Sequence, residues 1–177
     1  ELDEAKVLPE TVQALQTIVN LPLQIDTSDV TAMENALRLY NGKPLINSVN
    51  GKQSSMEAVF PLAKKYGGVV VCLTLDENGI PDTAEGRIRI AEKLIKTAAS
   101  YGIPKKDLII DALTLTVSTG ADNAQVTLDA LDYIRHKLGV HTVLGVSNIS
   151  FGLPARENIN TAFFTMAMQR GLSAGII

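Results

Sequence analysis

Short apolar runs alternate along the chain with longer segments in which apolar residues recur every three or four positions. The short runs predict six β-strands, at residues 21–25, 44–46, 68–75, 108–110, 141–146 and 174–177. The longer segments predict amphipathic helices at residues 31–40, 54–66, 83–101, 121–138 and 157–170. Strands that alternate with helices form βαβ units, so the pattern predicts an α/β fold with a parallel sheet.

Two folds are built from such units, the doubly wound sheet and the closed barrel. No Gly-rich dinucleotide fingerprint and no phosphate-binding P-loop follows any predicted strand, so the usual signature of the doubly wound sheet is absent. The strands instead end in polar residues, as they do in a (β/α)8 TIM barrel. A complete barrel needs roughly 250 residues, whereas this chain has 177. We therefore expect one domain, residues 1–177, that forms an incomplete barrel, lacks about two strands before residue 1 and a final helix, and has open strand edges.

Composition and charge exclude several classes of function. The formal net charge is −3, so no overall basic field attracts nucleic acid or an anionic membrane. No apolar run reaches the roughly 18 residues of a transmembrane helix, and the acidic first residues predict no secretory signal. One cysteine and two histidines are too few for a zinc site built by the protein. The lone Cys72 lies in an apolar run and fits a reducing, cytoplasmic environment.

Four predicted strands are followed by side chains that suit a flat heterocycle with several hydrogen-bond donors and acceptors. These side chains are Asp26, Asn47, Asp111 and Asn148. A carboxylate accepts two parallel hydrogen bonds from adjacent N–H groups, and an Asn side chain offers both a donor and an acceptor. None of the four is a nucleophile, and no Ser/His/Asp or Cys/His set accompanies them. The pattern therefore predicts a site that binds and polarises a small molecule without a covalent intermediate on the protein.

Each of these side chains also has a structural interpretation. Asp26 could cap the following helix, and Asn47 with Ser48 is typical of an ordinary turn. Asp111 follows three apolar residues, so we expect it to be nearly buried, where pairing with a Lys or Arg is the structural alternative. Asn148 is typical of a loop or a cap. The shared position of all four at strand ends favours a joint site over four separate structural roles.

Basic residues are spaced along the longest predicted helix, residues 83–101. Arg87, Arg89 and Lys93 occur there among other polar residues. Charges spaced in this way are typical of a solvated helix face. We therefore expect these three side chains to be exposed and to take no part in the site.

The segment at residues 145–156, GVSNISFGLPAR, closely resembles the strand-seven segment of the methyltetrahydrofolate:corrinoid methyltransferases. That family includes the folate-binding module of cobalamin-dependent methionine synthase. Shorter matches follow the family's order and spacing, at residues 25–27 (IDT), 43–48 (KPLINS), 110–111 (ID) and 174–177 (AGII). Together these motifs extend over nearly the whole chain, which would run from strand three into strand eight of the family's barrel.

The resemblance implies a pterin-binding barrel that transfers the N5 methyl group of 5-methyltetrahydrofolate to cob(I)alamin. It implies that Asp26, Asn47 and Asp111 bind the pterin ring, that Asn148 reaches N5 and is catalytic, and that Arg156 lies close to the pterin. The expected partners are the folate and a corrinoid domain or protein that carries the cobalamin, and the resemblance also allows a homodimer. Homocysteine activation would need a zinc–thiolate site, for which this chain has no ligands.

The chain departs from the family in one loop, and two other functions stay open. Many family members have Pro where this chain has Ala112, and the following residues 114–118 (TLTVS) are unusual. Dihydropteroate synthase shares the pterin barrel but typically carries a Ser-Arg-Lys-type motif where this chain has Ser147 and Asn148, which argues against that reaction. A folate-binding or structural fragment without turnover is the non-enzymatic alternative.

Overall fold

The computed structural model describes residues 3–177, and it confirms the predicted alternation of strands and helices. The strands are β1 (Gln24–Asp26), β2 (Leu45–Asn50), β3 (Val69–Leu73), β4 (Leu108–Asp111), β5 (His141–Gly145) and β6 (Ala174–Ile176). The α-helices are α1 (Glu4–Ile18), α2 (Val30–Leu39), α3 (Gln53–Tyr66), α4 (Ala84–Ser100), α5 (Asn123–Tyr133) and α6 (Arg156–Gln169).

The six strands form one parallel sheet in which spatial order follows chain order from β1 to β6. A helix lies between each pair of consecutive strands. In a doubly wound sheet the strand order reverses at a switch point, and this sheet has no reversal within residues 3–177. The sheet is therefore the curled, incomplete barrel that the sequence predicts, with β1 and β6 as its two edges.

The core lies between the convex face of the sheet and the helices that cover it. Alternate strand residues point to opposite faces, and those that point toward the helices are fully buried, among them Ile25, Ile46, Val70, Ile110 and Leu144. The helices contribute the matching apolar side chains, including Ala36, Phe60, Leu94, Leu131 and Phe163. Burying each large side chain contributes about 1.5 to 3 kcal/mol, so this interface provides the rigid frame on which the opposite face depends.

Helix α1 was not predicted from the sequence. It packs on α2 through the buried Pro9 and Val12. The Asn35 side-chain amide also donates to the Ala5 carbonyl at 3.0 Å. Of the α1 residues, Pro9 and Val12 are buried, and the helix packs mainly on α2.

Some predicted boundaries were wrong. Strand β2 runs on to Asn50 although residues 47–52 were predicted as a loop, because pairing with β3 continues past a register shift between Asn47 and Val49. The helix predicted at residues 121–138 begins at Asn123 and reaches Leu138 as predicted, with Ile134–Leu138 as one π-helical turn. Strand β5 ends at Gly145, and a 3₁₀ turn, Val146–Ser150, follows it.

Candidate functional site

The strand register brings Asp26, Asn47 and Asp111 to the concave face of the sheet. Asp26 pairs with Asn47, and Asn47 pairs with Val71. Leu73 lies two residues after Val71 and pairs with Asp111. Paired residues of parallel strands point to the same face, as do residues two apart on one strand. The three polar side chains therefore share the face opposite the helices.

The same face receives the carboxamide of Asn148, although this residue lies beyond the end of β5. Val143 pairs with Asp111, so Gly145, two residues later, points the same way. A Cβ atom on Gly145 would lie 2.9 Å from Asn148 Nδ2, closer than real Cβ atoms approach other atoms. The 3₁₀ turn thus folds the Asn148 amide back over the end of β5, in the space that the missing side chain of Gly145 leaves free.

The Asp111 carboxyl group is partly buried and has one hydrogen bond from the protein. The Leu113 N–H donates to Asp111 Oδ1 at 2.8 Å. Burial raises the pKa of Asp111 to about 6, and the Leu113 hydrogen bond and the charge of Arg87 oppose that rise. Within residues 3–177 the carboxylate has no other hydrogen-bond partner, so its Oδ2 is available to a ligand. At neutral pH the group is largely an anion.

Asp26 and Asn47 line an open cavity of about 490 Å³ at the carboxyl ends of β1 and β2. Asp26 is exposed and Asn47 is half-buried. Asp29, not Asp26, caps α2, because the Asp29 carboxylate accepts from two N–H groups in its first turn. Asp111 and Asn148 do not line this cavity. The structure therefore unites Asp26 and Asn47 in one cavity and puts the other two farther along the same face.

Arg156, the first residue of α6, holds the turn that carries Asn148. Its Nη2 donates to the Ser147 carbonyl at 2.8 Å, and its Nε donates to Ser150 Oγ at 3.0 Å. The Ser150 hydroxyl donates in turn to Asn160 Oδ1 at 2.7 Å. These bonds attach both ends of the turn to α6.

The unusual loop at residues 114–118 contacts the same turn. The Val117 N–H donates to the Ile149 carbonyl at 3.0 Å. The hydroxyl groups of Thr116 and Ser118 donate to the Phe151 carbonyl at 2.8 and 3.1 Å. The loop that departs from the family's sequence therefore braces the residues that follow the candidate catalytic amide.

A family model described as pterin binding enzyme matches residues 1–177 of the chain. The chain belongs to the pterin-binding enzyme family.

Relatives with curated names support the resemblance read from the sequence, and both matches extend over most of this domain. The domain is 34% identical over 176 residues to methionine synthase of Mycobacterium leprae, a match that covers 92% of the domain and 15% of that protein. It is 29% identical over 180 residues to a methylcorrinoid:tetrahydrofolate methyltransferase of Eubacterium limosum, covering 100% of the domain and 65% of that protein. The chain therefore spans a small part of the first relative and about two thirds of the second.

Solved structures with the same fold include two dihydropteroate synthases. The enzyme of Vibrio fischeri superposes with a TM-score of 0.71 at 22% identity, over 96% of this chain and 66% of that chain. The enzyme of Thermus thermophilus superposes with a TM-score of 0.76 at 21% identity, over 99% of this chain and 72% of that chain. At this identity the likeness shows the fold, the barrel of the pterin-binding family, and does not extend to the reaction.

One residue of this pterin-binding domain was wrongly predicted to lie on a solvated face. Arg87 is 0% exposed. Its Nε donates to the Pro81 carbonyl at 3.0 Å, and its Nη1 donates to the carbonyls of Ala112 and Leu113 at 3.0 and 2.6 Å and to Thr127 Oγ1 at 3.0 Å. Arg87 is thus hydrogen-bonded to Ala112 and Leu113, the first two residues of the loop that follows Asp111.

The other two residues of that predicted face, Arg89 and Lys93, are exposed, as predicted. The Lys93 ammonium also donates to the Gly51 carbonyl at 2.6 Å, so it links α4 to the loop before α3. Of the three basic residues, Arg87 alone is buried.

Residues 3–177 contain neither a cluster of metal-ligating side chains nor a membrane-spanning helix. In the part of the chain that the structure describes, no three His, Cys, Asp or Glu side chains lie together as metal ligands would. No helix among residues 3–177 has both the length and the apolar character to cross a membrane.

Proposed function

We propose that this pterin-binding domain binds 5-methyltetrahydrofolate and transfers its N5 methyl group to cob(I)alamin carried by a corrinoid domain or protein. The observation that carries the proposal is the concave face that Asp26, Asn47 and Asp111 share, with the Asn148 amide folded over its end. The names of the two relatives, a methionine synthase and a methylcorrinoid:tetrahydrofolate methyltransferase, support this reaction.

The donors and acceptors of the face fit the pterin ring. A pterin presents adjacent N–H donors on its pyrimidine edge, and a carboxylate accepts from such an edge. Asp111 provides that carboxylate, since it is largely ionised at neutral pH and Leu113 occupies only one of its oxygens. Asn47 and Asp26 add a donor and further acceptors for the remaining ring atoms.

Asn148 supplies the group that favours transfer. The N5 atom of the folate is a tertiary amine, which leaves readily only when its growing electron density is stabilised. The Asn148 Nδ2–H donates to N5 more strongly as the bond to the methyl carbon breaks, which stabilises the transition state over the bound substrate. The proton that N5 finally gains comes from solvent, and the corrinoid supplies the nucleophile that accepts the methyl group.

Dihydropteroate synthesis is the enzymatic alternative, since the solved structures with this fold carry that name. The position after β5 provides an amide, Asn148, where the alternative chemistry uses a basic side chain. Incubation of the domain with dihydropterin pyrophosphate and p-aminobenzoate tests that reaction directly. Formation of dihydropteroate would contradict methyl transfer as the principal activity.

Calorimetric titration of the purified chain with methyltetrahydrofolate is the first test of the proposal. We expect binding by the wild type, at least tenfold weaker binding by Asp111→Ala because a charge-assisted hydrogen bond of about 1.5 to 3 kcal/mol is lost, and unchanged binding by Glu92→Ala. Glu92 is an exposed carboxylate on α4 and serves as the matched control. Methyl transfer is then followed by the change in the cobalamin absorption spectrum. No binding by the wild type would contradict the proposal for this chain and favour the fragment without turnover.

A further inference from the structure

We propose that Arg87 is a positioning residue for Asp111. The Arg87 guanidinium holds the peptide of Leu113 against the Asp111 carboxylate and keeps that carboxylate charged for the ligand. The proposal rests on the proposed function, because it assumes that Asp111 binds the pterin. It adds to the site a residue on α4 that does not itself touch the folate.

The first observation is that the Leu113 peptide is held from both sides. Its N–H donates to Asp111 Oδ1, and its carbonyl accepts from Arg87 Nη1 at 2.6 Å and from Thr127 Oγ1 at 3.1 Å. Leu113 has a φ of 61°, a left-handed conformation that is strained for a residue other than glycine. The three hydrogen bonds of the Leu113 peptide maintain this conformation, and the bond from Arg87 is the shortest of the three.

The second observation is electrostatic. Arg87 is the charged side chain whose field acts on Asp111 within residues 3–177, and it lowers the pKa of Asp111 against the effect of burial. The side chains next to Asp111 across the sheet, Leu73 and Val143, are apolar and give no compensation. Burial lowers the pKa of Arg87, and the charges of Asp82 and Asp111 oppose that fall. The Leu113 N–H bond lowers the pKa of Asp111 more than the charge of Arg87 does, and Arg87 also holds the Leu113 peptide that makes this bond. Arg87 therefore acts on Asp111 both directly and through Leu113.

The third observation is the cost of this arrangement. Among the described residues, Arg87 Nη2 is buried without a hydrogen-bond partner. An apolar side chain in the same space would avoid this buried donor without a partner, but it would leave the Pro81 and Ala112 carbonyls without the bonds that Arg87 donates. The arginine therefore serves hydrogen bonds to the segments around Asp111, and packing alone does not account for it.

The test is the titration of Asp111 in the free protein, followed by the ¹³C chemical shift of its carboxyl carbon and assigned with Asp111→Asn. In Arg87→Gln the midpoint should rise by about one pH unit, because an opposite charge nearby lowers the pKa of an Asp by about that amount or more. Arg87→Lys keeps a charge and should titrate near the wild type. Arg89→Gln, the exposed control on the same helix, should not change the midpoint.

The same variants are then titrated with methyltetrahydrofolate between pH 5 and pH 8. A midpoint of 7 in place of 6 reduces the ionised fraction at pH 6 from one half to about one tenth, so Arg87→Gln should bind about fivefold more weakly at pH 6 and nearly normally at pH 8. An unchanged Asp111 midpoint, or an equal loss of binding at every pH, would overturn the proposal. If Arg87→Gln does not fold, Arg87→Met is the second neutral variant, with the same expected rise.

The carboxyl titration separates this proposal from the proposed function, because it needs no folate. Suppose that the Asp111 midpoint is raised in Arg87→Gln and that the wild type binds no methyltetrahydrofolate. This result would support the role of Arg87 and contradict the proposed substrate. Suppose instead that the wild type binds methyltetrahydrofolate, that Asp111→Ala does not, and that the Asp111 midpoint is the same in Arg87→Gln and the wild type. This result would support the substrate and contradict the role of Arg87.

Discussion

At the scale of single residues, the carboxamide of Asn148 lies at the end of β5, over the concave side of the sheet. If this amide stabilises N5 as the methyl group leaves, Asn148→Ala should lower turnover about 100-fold while folate affinity changes by less than about threefold. Stopped-flow methyl transfer and calorimetric titration measure the two quantities. Asn20→Ala, an exposed Asn before β1, is the control. Equal losses of turnover and affinity would contradict the catalytic role.

Gly145 provides the space in which that amide lies. In Gly145→Ala the new Cβ atom would lie 2.9 Å from Asn148 Nδ2, so the amide must move. We expect turnover to fall at least tenfold, since displacement of a positioned donor by about 1 Å is enough for a large loss. Folate affinity, which the proposal assigns to Asp111 and Asn47, should remain. Full turnover in a folded Gly145→Ala protein would show that the position of the amide in the free protein does not matter.

Residue types at strand ends were sufficient to select the candidates, but not to describe their surroundings. The structural alternative for Asp26 is answered by Asp29, which caps α2 instead. Arg87 was misjudged although the sequence contained the signal. It lies three, four and seven positions before Ile90, Ala91 and Leu94, so it falls on the buried stripe of the helix. The helical period therefore predicts burial of Arg87, whereas its charge alone suggested exposure.

At the scale of elements, the 3₁₀ turn Val146–Ser150 has its position set by neighbours on both sides. Arg156 holds it from α6, and the loop at residues 114–118 holds it from the end of β4. Neither link could be predicted from the sequence. Thr116 and Ser118 lie 35 and 33 residues before Phe151, and Arg156 reaches Ser150 and Ser147, 6 and 9 residues away, with a side chain that has many rotamers. The position of Arg156 close to the pterin stays a prediction.

Arg156→Met separates a positioning role from direct contact with the ligand. Loss of the hydrogen bonds to the Ser147 carbonyl and to Ser150 Oγ should loosen the turn and lower turnover about tenfold, with little change in folate affinity. A residue that binds the folate directly would instead lose affinity. The same two measurements as for Asn148 apply, and Arg38→Met, an exposed arginine on α2, is the control.

Element boundaries show where tertiary contacts override local preference. Asn47, Ser48 and Asn50 have low strand propensity, so a loop was predicted, yet pairing with β3 extends β2 to Asn50. The deciding interaction is with a strand that follows β2 only after the whole of α3.

At the scale of the whole molecule, the charge of Asp111 should reduce stability at neutral pH. Its folded pKa, about 6, lies above its ordinary value, so the folded protein binds more protons between about pH 4 and pH 6. The free energy of unfolding should therefore fall as the pH rises through that range. Asp111→Asn should be more stable than the wild type by about 1 to 2 kcal/mol above pH 6, and equal to it below about pH 4.

Urea unfolding of both proteins between pH 4 and pH 8 measures this difference. Glu92→Gln, which changes an exposed carboxylate, should follow the wild type at every pH. A pH-independent difference between Asp111→Asn and the wild type would show that the carboxylate is not destabilised by burial. The expected result pairs a gain in stability with a loss of folate binding, as is common at functional sites.

The sequence by itself determined the order of the strands and of the helices after α1, the barrel class and the four polar candidates, because hydrophobic periodicity and residue type are local properties of the chain. Only the tertiary structure decided that Asp26, Asn47 and Asp111 share one face, since a slip of one residue in any of three strand pairings would turn a side chain to the opposite face. It also decided that Arg87 donates to the loop behind Asp111 and that Asn148 folds back over Gly145. The strand register and the contacts of Arg87 join segments that are far apart in the chain, which packing of the helices against the sheet brings together.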